Sequence, residues 1–424
     1  MKTVRLLMGC LLAILLFLVT GPSAHAEEVK AKVNPLASLK RIKTTATDEL
    51  ILLNEAPAFQ FVEGKRIEVA TLARGSVYPI LDITDDYYSF SYGNDRLYVL
   101  KESATTRPAA STYELLKSDY TVLTTARIPV YDLDKPGANI VAYVEPNMRM
   151  TVVRETAYYQ VQMGGKRRFI EKQDTVKDSG VPVLMYHHMI ENAAQSDMRN
   201  NRMVIDVKQF EEQMDYLVNN GWTAITMETF RAWKEKEIDL PRNVVVITFD
   251  DGILSTVVYA YPILKNYNMP AVSFAITGKI RQQAAPWDPA TLQNVGLKEI
   301  RETADVFDYQ HHTHYYHLMN KEKGLPFLLT ESYEAILADL EQGKFQLGKA
   351  FEGDTERVKY LAYPFGQYNE TTLRAVTDAG IRYAFTTNTG NVRLGDSPLE
   401  LNRQGIAPEH TLADFEAKLL NTFK

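Results

Sequence analysis

The chain has 424 residues, long for one domain, with 45% hydrophobic and 24% charged residues, an ordinary globular composition that excludes a disordered or collagen-like protein. A formal net charge of -6, without any basic-aromatic platform, argues against nucleic acid as the main partner, because phosphate binding needs concentrated Lys and Arg. Residues 1–26 have the form of a signal peptide: Lys2 and Arg5, an apolar run from Leu6 to Val19, Gly21-Pro22, then the small-x-small site Ala24-His25-Ala26. An uncleaved anchor is the alternative, for which the apolar run is short. Cys10, the only cysteine, falls inside this segment, and most of the run follows it, against a lipobox. A mature chain without thiols fits the cysteine-poor exported proteins of Gram-positive bacteria, so the expected location is secreted or wall-associated.

Residues 27–48 are polar and Lys-rich and read as a linker. From about 50 to 175, short alternating runs such as Glu68–Leu72, Val77–Ile83 and Tyr87–Leu100 predict half-buried strands separated by turns. The region repeats without a gap. Tyr87-Tyr88-Ser89-Phe90-Ser91-Tyr92-Gly93 and Arg96–Lys101 return 71 residues later as Tyr158-Tyr159-Gln160-Val161-Gln162-Met163-Gly164 and Arg167–Lys172. Each copy is small, all-β and Gly-turned. Together, over 49–110 and 111–176, they resemble tandem bacterial SH3-like domains, which implies a cell-wall partner.

After a charged connector ending at Gly180 the texture changes. Val181–Tyr186 and Val244–Ile247 are continuous apolar runs, as buried parallel strands require. Between them Phe210, Met214, Leu217 and Val218 recur at helical spacing, and Gly221 can close that helix. Further strands are expected at Ala271–Ile276, Phe307–Tyr309, Tyr360–Tyr363 and Tyr383–Thr386, and helices at Ser332–Leu340 and Asn369–Ala379. The alternation predicts an α/β catalytic region over 177–424, as a β/α barrel or a doubly wound sheet.

Two clusters carry chemistry. In Thr248-Phe249-Asp250-Asp251-Gly252 an apolar strand runs into adjacent carboxylates, which repel unless a cation or proton intervenes. A metal ion would let one acid ligate while the other serves as base; a solvated Asp-Asp-Gly turn is the plainer reading. The second cluster, His311, His312, His314 and His317, falls within seven residues, too many for all to be structural. His410, alone in its stretch, is by default a satisfied structural histidine.

Thr248–Gly252, followed by His312-Thr313 and His317, resembles the first two motifs of the polysaccharide deacetylases, the NodB homology family, over roughly residues 181–424. The resemblance implies a distorted β/α barrel. It implies Asp250 as catalytic base, and Asp251, His312 and His317 as ligands of a divalent metal, zinc above cobalt or nickel. Leu361–Gly366 is similar to the third motif, which makes the Phe365 N–H an oxyanion donor and places Tyr363 and Pro364 at the substrate. The Arg that precedes this motif in many relatives is missing. Asp378-Ala379-Gly380-Ile381 begins the fourth motif without its Trp.

Arg403 resembles an Arg near the active site in the exopolysaccharide branch, and is expected with His187 on the substrate side. The His312–His317 spacing and Met185-Tyr186-His187-His188 are similar to that branch, which implies a poly-N-acetylglucosamine substrate; peptidoglycan is the alternative. The general acid stays open, with His410 poorly matched and His187 competing. A wall-glycan binder without activity is a rival, motivated by the degraded late motifs. A metallopeptidase is another, opposed by the absence of a His-Glu-x-x-His helix.

Overall fold

A computed structural model describes residues 40–424, except 136. The signal segment 1–26 and the first part of the linker lie outside these residues. The linker boundary at 48 is corrected: a strand starts at Lys40 and runs to Leu52, pairing antiparallel with Ala104–Lys117 from Lys40↔Lys117 to Leu52↔Ala104. Lys- and Thr-rich composition made this stretch look like a tether, but a backbone paired along a partner strand tolerates polar side chains.

The repeat is visible strand by strand. Ala56–Val62, Lys65–Leu72, Val77–Pro79, Tyr87–Tyr92 and Asp95–Leu100 recur as Ile128–Tyr131, Ile140–Val144, Arg149–Glu155, Tyr159–Met163 and Lys166–Ile170. The copies face each other across an approximate two-fold axis. Lys65–Leu72 pairs antiparallel with its own counterpart Ile140–Val144, and Tyr92 pairs with Met163, its repeat equivalent. One bond is made twice: the Gly93 N–H donates to Gln162 O at 2.9 Å, and the Gly164 N–H to Ser91 O at 2.7 Å. The copies therefore do not stand apart. They share one twelve-stranded sheet and one core, in which Val69, Leu72, Phe90 and Leu97 meet Val130, Val144, Val152 and Val161. A copy of about 60 residues buries too little surface to be secure alone, and pairing supplies the missing core.

The remainder is a barrel of seven parallel strands. In spatial order these are Val183–Tyr186, Leu401–Gly405, Tyr383–Thr389, Tyr360–Ala362, Phe307–His311, Ala271–Ala275 and Val244–Phe249, which closes back on the first; Thr223–Ala224 adds to the start of the last. Val244–Phe249 is buried at every position, which explains its unbroken apolar run. Helices cover the outside. Val207–Asn219, capped by Asp206, buries Phe210, Met214 and Leu217 but leaves Val218 exposed, a correction to the expected apolar face. Ser332 and Asn369 cap Tyr333–Gly348 and Glu370–Asp378.

The twinned β unit plugs the end of the barrel where the strands begin. Buried Arg149 bonds Asp178 (2.6 Å) and the carbonyls of Leu240 and Pro241, and the Asn94 N–H bonds Asp239 at 2.9 Å. A cavity of about 670 Å³, lined by Arg66, Asn147, Trp222 and Tyr267, lies at this junction. It is remote from the strand C-termini, where α/β barrels gather reactive groups. Among the described residues no helix is long and apolar enough to cross a membrane.

Candidate active site

The two acids leave the end of Val244–Phe249 on a turn that the strand ladder sets up. Thr248 Oγ1 donates to Leu184 O (2.7 Å) and the Asp250 N–H to Tyr186 O (2.9 Å). Asp251 (φ 71°) and Gly252 (φ 64°) then both adopt left-handed backbone, which reverses the side-chain alternation of a strand. At Gly252 a Cβ would meet that of Ala275 at 2.8 Å, so glycine is required by space as well as by angle. Asn294 Nδ2 donates to Asp251 O at 3.0 Å and steadies the turn.

Asp251 Oδ1 points at His312 Nε2 (3.5 Å) and His317 Nε2 (3.4 Å). The ligand atoms of the three residues lie within 4.8 Å of one another. That carboxylate oxygen is shut off from solvent and accepts no hydrogen bond, an expensive state unless a cation meets it. His312 Nδ1 lies 2.7 Å from Ala362 O; as donor there, it leaves Nε2 free as a lone pair. Burial pushes the His317 imidazole down to about 4, toward the neutral form a ligand needs, whereas at His312 burial is outweighed by Asp251 and Asp250, which raise it, so an ion bound there would displace a proton. Burial raises the Asp251 carboxyl, but the close approach of His312, with the charges of His187 and His317, holds it well below the usual range. One carboxylate and two imidazoles make a donor set that fits a divalent cation of the zinc type.

Asp250 has a different setting. It is buried and gripped on both oxygens by Arg403, Nη1 to Oδ1 and Nη2 to Oδ2, each at 2.7 Å. Burial raises this carboxyl, but the Arg403 charge, with His312 and the paired hydrogen bonds, keeps it below its ordinary value. Arg403 is itself fully buried, with Nε on Thr386 O at 2.9 Å. The expectation that it meets substrate is therefore corrected: it holds the Asp250 carboxylate from inside the barrel. Tyr363 is corrected likewise, being fully buried with its hydroxyl on Leu399 O (3.0 Å), and Pro364 is buried beside it. Both are packed into the turn.

Phe365 does reach the histidine cluster. Its ring lies 4.8 Å from that of His317, it is 42% exposed, and its φ of 58° is left-handed. Its N–H sits in the first turn of the 3-10 helix Pro364–Gly366, where donors have no partner within the helix. His187 Nε2 lies 4.0 Å from Asp250 Oδ2, and its Nδ1 is buried without a partner. The other histidines are turned elsewhere: His311 to Leu340 O, His314 to Thr277, His188 to Ser255, and His410 to the Ala407 N–H. Asn294, Thr277, Ala362 and Asp339 escaped sequence reading, because each acts through a backbone group or from a distant element, with no motif spacing to mark it.

The parallel barrel thus carries paired acids at one strand end and a histidine loop at another. Residues 237–384 match the family model described as polysaccharide deacetylase. Among curated proteins, the chain is 30% identical over 184 residues to the poly-beta-1,6-N-acetyl-D-glucosamine N-deacetylase of Staphylococcus aureus, covering 43% of this chain and 60% of that one. The enzyme of the same description from Staphylococcus epidermidis is 30% identical over 179 residues, covering 42% and 60%. The chain thus spans three-fifths of the length of these relatives. Among solved structures, IcaB from Ammonifex degensii is 25% identical, with 57% of this chain and 97% of that one covered at a TM-score of 0.48.

Proposed function

We propose that this protein hydrolyses N-acetyl groups from an N-acetylglucosamine polymer, releasing acetate and leaving a free amine. The observation that carries the reading is the orphaned Asp251 Oδ1 facing two histidine Nε2 atoms, beside a separate, Arg403-held Asp250. Asp251, His312 and His317 would hold a divalent ion, zinc by donor set, with cobalt or nickel as substitutes. When bound, such an ion supplies Lewis acidity to a water and to the acetyl carbonyl. Asp250 takes the attacking water's proton as the C–O bond forms. The Phe365 N–H donates to the oxyanion that develops on the carbonyl oxygen. As the C–N bond breaks, the departing nitrogen takes up the proton that Asp250 removed from the water, relayed by His187, whose Nε2 lies 4.0 Å from Asp250 Oδ2. The names of the relatives favour poly-β-1,6-N-acetylglucosamine over peptidoglycan.

The test is acetate release by the zinc-loaded protein from β-1,6-linked N-acetylglucosamine oligomers and, in parallel, from peptidoglycan glycan strands. Asp250→Asn should lower turnover by about two to four orders of magnitude, the usual worth of a general base, while binding zinc like wild type. Wild-type turnover in that variant would sink the assignment. Peptidoglycan-only activity would move the substrate but keep the chemistry, and no release with any metal would favour the wall-binding rival.

The twinned β unit, which resembles SH3-like modules, is our candidate for holding the enzyme to the cell wall; co-sedimentation of the protein with purified walls tests it. Export is read from residues 1–26, and the N-terminal sequence of secreted protein should begin at Glu27.

A further inference from the structure

The five-residue step from His312 to His317 poses a structural problem. On a helix, residues four apart share a face, and residues five apart do not. The segment must instead run as an irregular loop, and Thr313 in it takes a left-handed φ of 64°. An irregular buried loop needs outside partners for its backbone N–H groups.

One acid supplies them. Asp339, from the helix Tyr333–Gly348, accepts the His314 N–H on Oδ2 and the Tyr315 N–H on Oδ1, both at 2.7 Å. It is 8% exposed, and no salt bridge to it occurs among the described residues. From the other side, Thr277 Oγ1 meets His314 Nδ1 at 2.9 Å, while the N–H groups of Thr277 and Gly278 donate to the carbonyls of Thr313 and His314 at 3.1 and 3.0 Å. The His314 ring is thereby pinned away from Asp251, and the rings of His312 and His317 are left facing it. The helix can approach this closely because Gly343 carries no side chain: a Cβ there would meet His311 Nε2 at 2.0 Å.

We infer that Asp339 is a positioning residue for the metal site: its carboxylate touches no reacting atom but holds the histidine loop in its ligand-ready shape. The inference rests on Asp251, His312 and His317 being the metal ligands. The experiment titrates zinc into metal-free wild type, Asp339→Asn and Asp339→Ala by competition with a chromophoric chelator, and records visible spectra of the cobalt forms. Thermal unfolding of the metal-free proteins runs alongside. Asn is nearly isosteric but keeps only one acceptor oxygen; Ala keeps none. Zinc affinity should fall on the order of 10- to 100-fold, the usual cost of losing an outer partner of metal ligands, more for Ala than for Asn, with an altered cobalt spectrum. A folded Asp339→Asn with wild-type zinc affinity and spectrum would overturn the inference, whatever its thermal stability. If wild type itself binds no zinc, the ligand assignment fails first, and that result is read from the wild-type titration alone.

Discussion

Asp250 and Asp251 are chemical twins in sequence that the fold sends into opposite roles. One is gripped by a buried guanidinium; the other faces two imidazoles with an oxygen left over. Removing Arg403, for example as Arg403→Met, leaves Asp250 buried and unpaired. Losing one partner of a buried pair costs about 3–5 kcal/mol, readable by denaturant unfolding. Burial would then raise the Asp250 carboxyl against His312 and His187 alone, so it would protonate at higher pH, and the acid limb of the pH–rate profile should move upward. An unmoved limb would show that Arg403 does not set the base. For His187→Ala, amide hydrolysis should fall while acetyl esters with good leaving groups are spared, because such leaving groups need no proton. Equal losses on both substrates would remove His187 as donor. The motif acids and histidines could be read directly, since their spacing is local. Arg403 could be noticed but not placed, because it lies 153 residues from the carboxylate it holds.

At the scale of elements, continuous apolar runs gave the barrel strands and the 71-residue echo gave the repeat. Neither said that the copies pair through Lys65–Leu72 and Ile140–Val144, since pairing partners are chosen by surfaces and not by periodicity. The helix Tyr333–Gly348 was legible only in its first half. Its value to the site depends on Asp339 and on the close approach at Gly343. Gly343→Ala should destabilise the protein by about 1–3 kcal/mol, as overpacking does, measured by thermal unfolding. Because the helix must retreat from His311, zinc affinity should fall with it. A variant with unchanged stability and affinity would mean that the helix has slack.

At the scale of the whole molecule, the junction between the β unit and the barrel holds two acids close together. Burial, with the charge of Asp239, pushes Asp95 up to about 7. Burial pushes Asp239 up to about 6 against the Asn94 and Thr151 hydrogen bonds. Tyr92, Lys117 and Arg149 are the other charged or titratable groups near them. Both folded values exceed the ordinary 3.8. The unfolded chain therefore releases these protons first, and stability should fall as pH rises from about 4 to about 7. Asp239→Asn keeps an acceptor for Asn94 and Thr151 but cannot ionise, so it should flatten that slope in denaturant unfolding at several pH values. An equally steep slope in the variant would place the titration elsewhere.

By itself the sequence determined the order of regions, the repeat, the parallel α/β character and the residues able to do chemistry, because these depend on local pattern and residue type. Tertiary structure alone decided how they are used. It turned Arg403 inward, retired Tyr363 to the core, fused the repeats into one unit and brought Asp339 beneath the histidine loop. Each of these is a contact between segments far apart in the chain, and no local pattern records which distant surfaces will meet.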